Sequence, residues 1–113
     1  MTTSQKSVTN CKDSRCGTYP YLKVGPSFNF RGNEIHVNSN MSGSSRNLIY
    51  VITCAGCNKF HIGETGSSLR ARIRVHKQHI HVPEYRKIKL SEHIDVCAHG
   101  QFQVFPFYKL LSD

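Results

Sequence analysis

Cys54 and Cys57 stand two residues apart in Thr53-Cys54-Ala55-Gly56-Cys57. At this spacing two thiolates at the tip of a turn can reach one zinc ion, each at about 2.3 Å. Two ligands do not close a site. Cys11 and Cys16, in Cys-Lys-Asp-Ser-Arg-Cys, are the natural completion, giving a set of four cysteines with the chain between the pairs looped out. His36, or Cys97 with His99, could substitute. The plain alternative is a pair of free thiols, because the 37 residues between the pairs exceed common zinc-ribbon spacing. Zinc bound here would be structural, adding folding energy to a small core.

A second set of residues suits phosphate. Arg72 carries the planar fork that grips two phosphate oxygens at once, and His76 lies one helical turn further on, close enough to share the same phosphate. Seven lysines and arginines (Arg70, Arg72, Arg74, Lys77, Arg86, Lys87 and Lys89) fall within residues 70–89, against the single acid Glu84. Such a run is usually a solvated face, but beside Arg72 it also fits a phosphate track. Tyr85 could stack on a base or simply fill a helix turn. Contacts of this kind position a protein on nucleic acid without specifying bases.

Composition points the same way. The chain has 113 residues, with 15 Lys and Arg against 7 Asp and Glu, a formal charge of +8. That favours a polyanionic partner, DNA first and an anionic membrane surface second. No run approaches 18 apolar residues and the first ten residues lack the apolar core of a signal peptide, so a soluble intracellular protein without membrane or small-molecule cofactor is expected. If it acts on DNA, it would be nuclear. Five cysteines, an odd number, argue for thiols or metal ligands rather than a disulfide framework.

The elements that must position these residues follow from periodicity. LIYVITC is apolar and β-branched, CAGCN supplies a turn and KFHIG returns, predicting an antiparallel hairpin. Ser67 or Ser68 can cap a helix whose Leu69, Ile73, His76 and Ile80 share one face. Pro83 ends or kinks it before a second helix around KLSEHIDVC, and QFQVFPFYKLL reads as a third strand. Upstream, SFNF and EIHV flank Arg31-Gly32-Asn33 as a short hairpin. The stretch from Asn38 to Asn47 is a Ser/Asn/Gly linker, and residues 1–10 look disordered. The expected fold is a small α/β (α+β) domain over residues 48–113, a three-stranded antiparallel sheet flanked by helices, after a flexible segment 1–47 that holds the N-terminal zinc-binding cysteines.

Read as one string, Leu48-Ile49-Tyr50, then His61-Ile62-Gly63, Thr65, Leu69, Arg72 and His76 resemble the GIY-YIG endonuclease module, in the form found in Penelope-like retroelements. Each short motif is weak alone; the ungapped spacing from 48 to 76 is more specific. The resemblance implies metal-dependent nicking of DNA, with Tyr50 orienting or deprotonating water, and Arg72 and His76 on the phosphate. His61 stands where the family has Tyr. An imidazole, with an ordinary pKa of about 6.5 against about 10 for a phenol, could serve as base, or it could mark a chain that no longer cleaves. The family's catalytic Mg²⁺ or Mn²⁺ is held by a Glu on a helix after the third strand, and this sequence stops at Asp113, so reduced or lost activity is expected. Glu64 and Glu92 are near enough in sequence to suggest a metal ligand, and neither is assigned. The alternative is a non-catalytic, zinc-stabilised nucleic-acid-binding module of retroelement origin. A third is a protein-interaction module that turns its basic face to acidic partners.

Overall fold

The computed structural model describes residues 6–9, 21–57, 59–82 and 89–110, with the side chains of Lys89 and Glu92 excepted. Strand β3 (Leu48–Cys54) is central in a three-stranded antiparallel sheet, with β4 (Phe60–Thr65) on one side and β5 (Phe102–Lys109) on the other. Leu48, Tyr50, Val51, Ile52 and Cys54 are all buried, as a strand covered on both faces must be. A register shift between Ile49 and Tyr50 lets β5 carry Pro106 opposite Tyr50. Pro has no N–H for a ladder, and a bulge is where a sheet tolerates it.

Two layers cover this sheet. On one face lies α1 (Leu69–His81), which buries Leu69, Ile73, His76 and Ile80, followed by α2 (Lys89–Ala98). On the other, the hairpin of β1 (Ser27–Phe30) and β2 (Asn33–His36) stacks Phe28 on Phe105 at 5.1 Å and sets Phe30 edge-on to Phe60 at 4.7 Å. The fold expected from periodicity is therefore the fold observed: small, α+β, with a three-stranded antiparallel sheet and flanking helices. None of the helices among the described residues is long and apolar enough to cross a membrane.

Residues 38–47 depart from expectation. Read as a linker, they fold onto the domain: Met41 is buried, and the carbonyls of Gly43 and Ser45 accept from the amides of Arg70 and Leu69, at 2.6 and 2.9 Å. The Ser68 side chain accepts from Ala71 N at 3.2 Å, and Ser68 O accepts from Arg72 N at 3.1 Å. The amides of Leu69, Arg70 and Ala71, which a helix normally leaves orphaned, thus all have acceptors. Val8, expected in a disordered tail, is buried and bridges Gly25 and Met41. A Ser- and Gly-rich composition signals the absence of apolar periodicity, but these contacts are made mainly by backbone atoms, which every residue carries.

Candidate functional site

Alternation along β3 sends Leu48, Tyr50, Ile52 and Cys54 to the helix-covered face. Their antiparallel partners Thr65, Gly63 and His61 share it. Tyr50 lies opposite Gly63, and the pairing needs a glycine there: a Cβ at Gly63 would come within 2.6 Å of the Tyr50 hydroxyl and 2.7 Å of Cζ. The ring of Tyr50 crosses its partner strand at this point and reaches α1. There its hydroxyl lies 2.8 Å from His76 Nε2, and Arg72 Nε donates to it at 3.1 Å. Three residues separated by 22 and 26 positions thus form one hydrogen-bonded group.

Burial sets the protonation of this group. His76 is 2 % exposed, and burial, then the charge of Arg72, then His79 and His61, lower its pKa from 6.5 to about 4. The imidazole is neutral at pH 7. Because Arg72 already donates to the Tyr50 oxygen, the favoured arrangement sends the Tyr50 proton to His76 Nε2, leaving the His76 proton on Nδ1. That atom is buried without a hydrogen-bond partner. Tyr50 itself is 1 % exposed, so its hydroxyl acts on Arg72 and His76. His61, half-buried on β4, belongs to the same face and is close enough for its charge to lower the pKa of His76. Of the expected four, Tyr50, Arg72 and His76 are joined by hydrogen bonds, and His61 shares their face of the sheet.

The basic track is placed only in part. Arg70 and Arg74 are exposed on α1, whereas Lys77 is half-buried with its ammonium 5.1 Å from the centroid of Tyr21. Arg86 and Lys87 lie outside the described residues, as does Tyr85. Glu64 pairs with Ile49 and so faces away from Tyr50.

A second cluster closes the far end of the sheet. Cys54 ends β3, Cys57 follows in the turn, and α2 brings His93 and Cys97, four positions apart and hence on one side of the helix. Their four ligand atoms all lie within 4.8 Å of one another. Donors about 2.0–2.3 Å from a tetrahedral ion sit roughly 3.5–3.8 Å apart, so this set of three thiols and one imidazole needs little closure to hold a metal such as zinc. Gly56 permits the approach of α2, since a Cβ there would meet Cys97 Sγ at 3.0 Å and the Cys97 carbonyl at 3.2 Å.

The cluster's electrostatics suit a cation. The Lys59 amide, then His93 at 3.0 Å, lower the Cys57 thiol to about 7, toward the thiolate that metals bind. Cys97 is raised, chiefly by the neighbouring Cys54 thiol. Of the expected ligands, Cys54 and Cys57 take part; Cys11 and Cys16 lie outside the described residues, and the set reaches four without them. His36 instead pairs with Glu34 at 2.9 Å, and His99 stays outside the cluster. Sequence reasoning missed His93. The signal was present in His93-Ile-Asp-Val-Cys97, a ligand pair at helical spacing following a C-x-x-C turn.

Comparison of the chain with protein-family models, with curated proteins and with solved structures gives no match in any of the three.

Proposed function

We propose that the chain is a nucleic-acid-binding module of the GIY-YIG type, braced by a structural zinc centre, that grips a DNA phosphate with Arg72 and cleaves it slowly. The observation that carries this reading is the hydrogen-bonded union of Tyr50, Arg72 and His76. Arg72 uses Nε to reach Tyr50, so the bidentate grip on phosphate falls to its Nη pair. Tyr50 and His76 are then positioning residues: the neutral imidazole accepts from the phenol, and the phenol fixes the plane of the guanidinium. His61, partly exposed on the same face of the sheet, is the side chain left to act as general base. Cys54, Cys57, His93 and Cys97 would hold the zinc.

The limit on cleavage is also local. A divalent ion, when bound, stabilises the leaving oxygen, and Mg²⁺ needs carboxylate ligands to exchange for its tightly held water. Among the described residues, Glu64 faces the other side of the sheet, and the only grouped donors are those of the Cys/His cluster, remote from phosphate held by Arg72. Loss of electrostatic stabilisation of this kind costs on the order of a hundredfold or more in rate. A chain acting on DNA in this way would work in the nucleus.

Two measurements test the reading. Binding of labelled duplex should weaken steeply with salt, and Arg72→Ala should weaken it more than Arg74→Ala. Supercoiled plasmid with Mg²⁺ or Mn²⁺ should be nicked slowly, and not at all by Arg72→Ala. Equal, small binding losses in the two variants would reduce the face to a generic cation patch. Fast nicking abolished by Arg72→Ala would show that a carboxylate does reach the site.

A further inference from the structure

At the end of the sheet that carries the Cys/His cluster, the β1–β2 hairpin, the sheet edge and α2 enclose an open cleft of about 930 Å³. That is ample for a nucleotide unit, as ligand sites run from about 300 to 1,000 Å³. Phe28, Phe30 and Phe60 form its aromatic wall, each half-buried and so with part of its ring uncovered. Arg31 and Lys59, both exposed, also line it, and no acid does among the described residues. A zinc ion on three thiolates and an imidazole would leave one net negative charge nearby, which these two cations outweigh.

The placement of Arg31 is a second observation. It sits in the two-residue turn between Phe30 and Asn33 with φ of 52°, a left-handed conformation that Asn, Asp and Gly adopt far more readily. In that position its guanidinium lies over the ring of Phe60, 5.5 Å from the centroid. The turn has thus taken a costly residue and put its charge against an aromatic ring.

The geometry points to this cleft as a site for single-stranded nucleic acid, in which an unpaired base stacks against the Phe30 and Phe60 pair and the adjoining phosphate meets Arg31 and Lys59. Aromatic platforms flanked by cations bind unpaired strands because every base has a face to stack, whereas a duplex hides those faces. The inference extends the proposed nucleic-acid reading, but it uses none of Tyr50, Arg72 or His76, so each can fail alone.

The test is fluorescence anisotropy on the full chain, with a short labelled thymidine oligonucleotide and, separately, a labelled duplex. Arg31→Asn suits the left-handed turn and so preserves the hairpin. Combined with Lys59→Gln, it should weaken single-strand binding about tenfold, through loss of two cations that meet the strand's phosphate, and change duplex affinity less than twofold. Arg72→Ala should show the reverse pattern. Unchanged single-strand affinity in the double variant would overturn the inference, as would parallel losses for both ligands. An abasic oligonucleotide binding as tightly as thymidine would remove the stacking role. Competition by polyglutamate as strong as by the oligonucleotide would reassign the cleft to acidic peptides. If Arg72→Ala leaves duplex binding intact, it is the proposed function that fails, not the cleft.

Discussion

Acidification should destabilise the fold through His76. Its pKa falls from 6.5 to about 4 on folding, chiefly because the imidazole is buried. Between those values the unfolded chain binds the proton and the folded one does not, so stability is full above about pH 6.5 and is lost as pH falls toward 4. At about 1.4 kcal/mol per tenfold, the loss amounts to about 3 kcal/mol, a sizeable part of the 5–15 kcal/mol typical of a domain. The assay is urea unfolding of the wild type and of His76→Gln at about pH 7 and about pH 4. Glutamine can still accept from Tyr50 but does not titrate, so its chain should lose about 3 kcal/mol less on acidification. Protonation of the Cys and His metal ligands weakens both proteins alike and cancels in the difference. Equal acid losses in the two proteins would refute the assignment of a buried, neutral imidazole.

Purified protein should carry about one equivalent of zinc; Cys97→Ser or His93→Ala should abolish it and a Cys11→Ser, Cys16→Ser chain should retain it, as read by metal analysis. Gly63→Ala should cost about 1–3 kcal/mol in denaturant unfolding, because the new methyl meets the Tyr50 ring at 2.6–2.7 Å, and should weaken DNA binding through the displaced Arg72. Ser68→Ala should lower the thermal midpoint by the worth of one helix cap, about 1 kcal/mol, and leave metal content unchanged.

Much of the architecture was legible because local pattern and tertiary demand agree. The apolar run of β3 and the stripe of Leu69, Ile73, His76 and Ile80 mark buried faces directly, and the exposed turn at Ala55-Gly56 marks the reversal between β3 and β4. Tyr50, His61, Arg72 and His76 could be grouped beforehand because strand register and helical period together bring them to one face. His93 could not be read from local pattern in the same way. Its role depends on where α2 packs against the turn after β3, and the pattern within α2 alone does not encode that. The role of residues 38–47 was hidden for another reason, since the acceptors from Gly43 and Ser45 are main-chain carbonyls. The cleft beneath the β1–β2 hairpin depends on Phe28 and Phe30 meeting Phe105 and Phe60, contacts between distant segments with no periodic signature.

The occupied amides at the start of α1 bear on where the domain can be cut. A fragment beginning at Leu48, the boundary that motif and composition both suggest, would strip the carbonyls of Gly43 and Ser45 from the amides of Arg70 and Leu69. Two donors at the positive end of a helix would then face solvent, next to Arg70 and Arg72, and would form an anion trap foreign to the intact chain. Such a fragment could hold sulfate, phosphate or DNA for reasons created by the scissors. Affinities measured on it would overstate the helix and understate the arginine side chains, so the shortest faithful version of this domain has to start upstream of Val8.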